Sequence, residues 1–343
     1  MTTTVKTGTP VINCVGAPWY EDLSAALLDE CLGQGVAVVG CTANEIWDDT
    51  VEALENFQRV KEVVRNHGRA YIVKHAGDVE KPGNRDRVGV VLGWQNPKPA
   101  SDSLHILEAF IDLGLRCCSL AFRENSYYGC GFFPESDPGL STLGRQAVQL
   151  LNRRGVIIDL SHSGDRTAMD AVELSEHPVV FSHSTARVLT RTRQLSREQT
   201  MMNALRRSAP DELIKAAAAK GGVICPDART ETVKDFVNQV DYLVNLAGVD
   251  HVGVAGQDDW HRSEKDTKRI RPYLPGYDST AGEGPREFGD DYRIYRREGQ
   301  LGPKLFYPEK LAAELKAREY PQADVEKILG GNLVRVFKEV LPS

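Results

Sequence analysis

Nine short apolar runs alternate with stretches of helical period along most of this chain, and that alternation leaves few folds open. The runs are PVINCVG (10–16), VAVVGC (36–41), AYIVK (70–74), VGVVLGW (88–94), RCCSLAF (116–122), VIIDLSH (156–162), PVVFSHS (178–184), GVICPD (222–227) and HVGVAGQ (251–257). They are rich in β-branched residues and lack polar alternation, as strands covered on both faces do. Between them, segments such as DTVEALENFQRVKEVVRNHG, SLHILEAFIDLG, LGRQAVQLLNRRG and KDFVNQVDYLVNLAG carry apolar residues at the 3.6-residue period, and most end in glycine, ready to stop a helix. Repeated βα units predict a parallel sheet with helices outside it. Roughly eight units in some 260 residues favour a closed (β/α)8, TIM-like barrel over an open sheet.

Two stretches interrupt the rhythm. Residues 194–210 (QLSREQTMMNALRRSAP) read as a helical excursion, and residues 261–305 are polar and rich in Gly, Pro and Arg. Both should emerge on the rim where such barrels keep their chemistry, as lids or else as solvated loops or dimer contacts. The tail from residue 308 reads as two helices packed on the barrel, so residues 1–343 read as one barrel domain.

Composition narrows the partners. A net charge of -6 argues against nucleic acid or an anionic membrane surface. The opening MTTTVKTGTP has no apolar signal core, and no run approaches the roughly 18 apolar residues of a membrane helix. The expectation is a cytoplasmic protein. Seven cysteines without a CxxC pair suggest neither a disulfide framework nor a cysteine zinc site, and most sit in strand-like runs as small core residues.

Two adjacent strand runs each end in a histidine, His162 in DLSH and His183 in FSHS. Neighbouring parallel strands set such residues side by side at one rim of the sheet. Imidazole titrates near neutral pH and moves protons without a metal, so the pair is a candidate acid/base couple or a pair of buried, hydrogen-bonded histidines.

The segment 139–189, with its DLSH and FSHS motifs, resembles the membrane (renal) dipeptidase family, as do AGVDHVGVAGQDD (247–259) and ILGGNLVRVF (328–337). The resemblance runs from about residue 88 to the end. It implies a TIM-like barrel, a homodimer, two zinc ions and hydrolysis of dipeptides or related amides. By the same resemblance, His162 and His183 match the histidines on the second zinc. Arg193 matches the arginine that holds the substrate carboxylate, with Arg191 as its competitor.

The rest of the family's ligand set is missing. Val15 and Ala17 stand where the family has a His-x-Asp pair, Gln95 where it has the bridging glutamate, Phe122 where a histidine supports the intermediate, and Gln257 where an acid follows the last strand. Valine and alanine ligate nothing, and two imidazoles alone hold zinc weakly. A two-metal site needs an anionic bridge between its dications, whereas a site without metal has no use for costly buried carboxylates. The expectation is therefore no cofactor, with His162, His183 and Asp258 moving protons. Arg193, Gln95, Phe122, Tyr128 and Gln257 would contact a small amino-acid-like carboxylate substrate. One alternative keeps a single zinc on His162 and His183, completed by Asp258, Asp259 or His261; another is a silent homologue that only binds. Asp159 reads as structural, and Tyr127, Tyr128 and Cys130 as facing the pocket mouth, Cys130 a nucleophile only if a neighbouring base lowers its pKa. His75, His105, His177 and His251 read as structural, and GGN at 330–332 as a cap or a tight contact.

Overall fold

A computed structural model describes residues 9–14, 18–45, 47–80, 86–191, 205–227, 232–255 and 308–343. Its strands are β1 (Val11–Asn13), β2 (Val36–Thr42), β3 (Ala70–Ile72), β4 (Val88–Trp94), β5 (Leu115–Ser119), β6 (Ile157–Asp159), β7 (Val180–Phe181) and β8 (Val223–Ile224). All pair in parallel, in the order β1-β2-β4-β5-β6-β7-β8. The described part of the last run, residues 251–255, closes the ring. Val252 bridges Ile224 in parallel, and the Cys14 amide donates to the Val254 carbonyl at 3.5 Å. The result is a (β/α)8, TIM-like barrel.

AYIVK departs from the simple ring. β3 pairs with the first half of β4, Ala70 opposite Val88, while β5 pairs only with the second half, from Leu92 onward. β3 is thus a short wedge at the base of β4. The Arg116 guanidinium on β5 donates to the Lys74 carbonyl at 2.8 Å and ties the wedge across.

Helices cover the outside: α1 (Ala25–Gly33), α2 (Thr50–His67), α3 (Leu104–Asp112), α4 (Thr142–Arg153), α5 (Asp165–Leu174), α6 (Asp211–Ala219) and α7 (Val233–Ala247). Their starts follow local chemistry. Asp49 and Glu52 form a capping box on α2, and Ser24, Ser103, Ser141 and Thr232 accept first-turn amides of α1, α3, α4 and α7. Gly68 stops α2 with φ of 72°, which favours glycine.

The period of two in each strand divides the core. Val39, Cys41, Val90, Leu92, Cys118, Ile158 and Phe181 meet the helices, while Ile12, Val38, Val91, Cys117, Ile157, Val180 and Val223 fill the barrel. The C-terminal α8 (Pro308–Ala317) and α9 (Asn332–Val340) match the two helices read from the tail, and Leu333 and Phe337 of α9 pack into the interior cluster. A Cβ on Gly330 would collide with the Pro10 carbonyl, so the GGN stretch is a tight contact against β1. All seven cysteines are buried and free. Residues 194–204 and 261–305 of the two excursions lie outside the described residues; Ala209, near the end of the first, bridges Ala186 in parallel.

Candidate active site

The interior-facing residues at the ends of β6 and β7 build a polar chain. Asp159, the last residue of β6, is fully buried, and its Oδ1 accepts the amides of Ser161 and Ser182, both at 3.0 Å. Its Oδ2 accepts the Ser182 hydroxyl at 2.6 Å. Burial raises the Asp159 pKa, opposed by these donors. The Ser182 oxygen also lies 2.7 Å from Nδ1 of His183, whose amide donates to Ser161 Oγ at 3.0 Å.

The two imidazoles meet edge to edge. Nε2 of His162 lies 2.7 Å from Nε2 of His183, with the rings at 64°. Gln95, just past β4, brings its Oε1 to 3.0 Å from His162 Nε2 and donates its Nε2 to Thr42 Oγ1 at 2.8 Å. Phe122 lies over His162 with ring centroids 4.2 Å apart, and Phe132 stands 5.8 Å away. The structure thus gathers His162, His183, Gln95 and Phe122 at the carboxyl ends of β4, β5, β6 and β7, the rim where barrel enzymes place their chemistry.

His162 carries two unfavourable features. Its φ is +72°, a left-handed backbone that costs a non-glycine residue about 1–3 kcal/mol. Its Nδ1 is buried without a hydrogen-bond partner, which costs about 1–3 kcal/mol more. Burial holds its pKa well below the ordinary histidine value, helped by the nearby charges of Arg207, His183 and Arg123. Burial therefore keeps His162 in its neutral form at physiological pH. Arg207 is itself bound to Asp227 at 2.7 Å, both largely buried.

Beside this pair, the loops after β4 and β5 enclose a cavity of about 510 Å³, lined by Asn96, Lys98, Phe122, Arg123, Ser126 and Tyr127 among others. Phe122 belongs to both, touching His162 and walling the cavity. Lys98 and Arg123 stand in its lining against one carboxylate, Glu124, a positive balance that suits an anionic group.

Several expected residues fall elsewhere. Tyr127 is exposed at the mouth, and Tyr128 also lines the cavity although its side chain is fully buried in the core packed against the helices. Adjacent residues cannot share an orientation here, because the Ser126 hydroxyl binds the Tyr128 and Gly129 amides and turns the chain inward. Cys130 is likewise buried. Its thiol donates to Asn125 Oδ1 at 2.6 Å, and burial pushes it up to about 11, the reverse of an activated nucleophile. His251 is held by the Gly222 carbonyl at 2.9 Å. Val15, Ala17, Arg193, Gln257, Asp258, Asp259, His261 and the side chain of Arg191 lie outside the described residues.

Residue typing missed Ser182, Thr42, Phe132 and the central place of Asp159. The signal was present in part: Ser182 precedes His183 directly, and Asp159 and Ser161 share one strand face by the period of two.

The donor set can be tested against zinc. Zinc takes three or four ligands and bonds imidazole nitrogen at about 2.0–2.1 Å, which in a tetrahedron separates two nitrogens by roughly 3.3 Å. The 2.7 Å between His162 and His183 is a shared-proton distance instead. Among the described residues, no group of three or more His, Cys, Asp or Glu side chains is placed to hold a metal. Those residues do not fit the metal centre that the family resemblance implies.

Fold and rim geometry define an α/β-barrel protein with a histidine pair where barrel enzymes do their work. The sequence profile of the membrane dipeptidase family (peptidase family M19) matches residues 25–265, and the chain belongs to that family of hydrolases. It is 26% identical over 303 residues to dipeptidase tcpJ of Claviceps purpurea, covering 85% of this chain and 60% of that protein. It is 24% identical over 305 residues to dipeptidase 3 of Mus musculus, covering 84% of this chain and 51% of that protein. The chain thus spans between half and three-fifths of the length of these curated relatives. An amidohydrolase from Pseudomonas aeruginosa has the same fold, with a TM-score of 0.77, 23% identity and 97% of each chain covered. Among the described residues, no helix is long and apolar enough to cross a membrane.

Proposed function

We propose that this chain is a dipeptidase-family enzyme that acts on a small, carboxylate-bearing, amino-acid-like or dipeptide-like substrate through histidine acid/base chemistry rather than through a dinuclear metal centre. The observation that carries this reading is the 2.7 Å contact between the Nε2 atoms of His162 and His183, with neutral Gln95 at 3.0 Å in the place of the family's bridging glutamate. Burial keeps His162 in its base form at neutral pH, and the Nε2 contact gives a proton it accepts a path to His183. Lys98 and Arg123 in the neighbouring cavity supply the positive field that draws a carboxylate. Asp258 and Arg193 complete the reading as a second proton carrier and a carboxylate anchor, and the homodimer is carried over from the family.

A second reading has its own support. Nε2 of both histidines and Oε1 of Gln95 converge, and an ordinary dipeptidase or amide hydrolase could hold one zinc there if the site opened by about 0.6 Å. Elemental analysis decides between the two. The chain is purified without chelator and assayed for metal, before and after incubation with excess zinc. Zinc near zero in both samples supports the metal-free reading; one tightly bound zinc per chain overturns it. Turnover of a panel of dipeptides and N-acyl amino acids, lost in His162→Gln and His183→Gln, then separates an enzyme from a homologue that only binds.

A further inference from the structure

We propose that Asp159 and Ser182 fix the tautomers of both histidines, so that His183 carries its proton on Nδ1, His162 carries its proton on Nε2, and the bare Nδ1 of His162 is the proton acceptor of the site. The proposal rests on the metal-free reading and deepens it, for it names the atom that meets the substrate and the residues that hold it ready.

The assignment follows from counting protons along the chain. The groups facing the Asp159 oxygens are donors: the amides of Ser161 and Ser182 on Oδ1, and on Oδ2 the hydroxyls of Ser182 at 2.6 Å and Ser119 at 3.5 Å. A serine hydroxyl has one proton. Given to Asp159 at 2.6 Å, it leaves only lone pairs to face His183 Nδ1 at 2.7 Å, so that nitrogen must be the donor. Taken as the neutral imidazole, with one N–H, His183 then has a lone pair at Nε2. The nitrogen 2.7 Å from it, His162 Nε2, must carry the proton between them.

The opposite end of the chain gives the same answer independently. Gln95 spends its amide nitrogen on Thr42 Oγ1 and presents its carbonyl oxygen to His162 Nε2. A carbonyl oxygen only accepts, so His162 Nε2 must be protonated, its N–H shared between Gln95 and His183. Neutral His162 is then bare at Nδ1, and that is the atom buried without a partner.

A lone pair buried beside Phe122 and Phe132, on a residue held at φ of +72°, is an unmet demand for a donor. The matching ligand presents an N–H, an O–H or an acidic C–H at that point. Asp159 and Ser182 are positioning residues in this arrangement. They act through His183 in the way a buried carboxylate orients a catalytic imidazole. On accepting a proton, His162 becomes a cation whose Nε2–H is already directed at the lone pair of His183.

Nitrogen NMR on the full chain, labelled with 15N-histidine and held near pH 7.5, reads the tautomers directly through two-bond proton correlations. Assignment comes from His162→Gln and His183→Gln. The expected spectrum shows His183 as the Nδ1–H form and His162 as the Nε2–H form with an unprotonated Nδ1. Free histidine prefers Nε2–H, so His183 is the sensitive reporter. Ser182→Ala paired with Gln95→Leu removes both constraints and should return His183 to Nε2–H, while Ser182→Thr, which keeps the hydroxyl, should leave it as Nδ1–H. His183 as Nε2–H in the unaltered chain, or His183 unchanged in the double variant, overturns the inference. The unaltered chain answers by itself if the variants do not fold. The measurement needs no turnover, so a wrong tautomer sinks this inference and leaves the metal-free reading standing. One zinc per chain in the same sample sinks both.

Discussion

Gln95 is bound at both ends of its amide, donating to Thr42 Oγ1 at 2.8 Å and accepting at 3.0 Å from the imidazole of His162. The neutral amide thereby bridges β2, β4 and β6 at the place where the dipeptidase family carries a glutamate. It meets the buried hydrogen-bonding demands of Thr42 and His162 without bringing a charge into the barrel mouth.

Restoring the carboxylate should therefore be costly without metal. In Gln95→Glu, Thr42 loses its amide donor and a buried anion faces neutral imidazoles, so thermal stability should fall by about 1–3 kcal/mol in chelator-treated buffer. Excess zinc should recover that loss if the glutamate and the two histidines together bind it. Differential scanning calorimetry with and without zinc checks this; an unchanged melting temperature in chelator would contradict the assigned role of Gln95.

Asp159 accepts the Ser161 amide beside it in the chain and joins β6 to the residue after β7 through the Ser182 amide and hydroxyl. Asp159→Asn keeps the size but gives the buried donors a weaker, uncharged acceptor and adds an N–H with no evident partner. A loss of about 2–4 kcal/mol is expected in urea unfolding. Ser182→Ala should cost less, about 1 kcal/mol, because it removes one hydroxyl. Equal losses for the two would show that Asp159 is not the centre of the cluster.

Acid stability carries the signature of His162. Its folded pKa is depressed by burial, while the unfolded chain titrates near 6.5. Below that value the unfolded state takes a proton that the folded state refuses, so stability falls as pH drops from about 6.5 towards the folded pKa. Between pH 7.5 and 5.5 the unaltered chain should lose roughly 1 kcal/mol more than His162→Gln. Parallel urea titrations at the two pH values measure the difference, and identical losses would mean that His162 is charged or exposed.

Cys130 should resist alkylation. Its thiol stands at about 11 and is buried, and the other cysteines are buried and free. Iodoacetamide at pH 7 should leave the native chain unmodified over an hour, whereas the unfolded chain should take seven labels, counted by intact mass. Rapid single labelling at Cys130 would restore it as a candidate nucleophile.

Much of the architecture was legible in the linear chain. Eight of the apolar runs contain the strands β1 to β8 or most of their residues, and the ninth closes the ring at Val252. Parallel strands buried on both faces leave that mark because every residue of the run must be apolar. The wedge at β3 was not legible, since its three residues differ from a full barrel strand only in where they pair along β4. The burial of Tyr128 was not legible for a related reason: the turn that buries it is set by hydrogen bonds to Ser126, which composition does not reveal.

By itself the sequence determined the alternation of strands and helices, the burial of the cysteines and the two histidines at one rim. Those properties depend on residue type and periodicity, which act locally. The tertiary structure alone decided that Ser182 stands between Asp159 and His183, that the two imidazoles meet through their Nε2 atoms, and that Gln95 reaches across from Thr42 to His162. These contacts join groups on separate strands, and register and sheet curvature set them to within a few tenths of an ångström. Hydrogen bonding is steep over that distance, so the chemistry available to the histidines was settled by packing rather than by their presence in the chain.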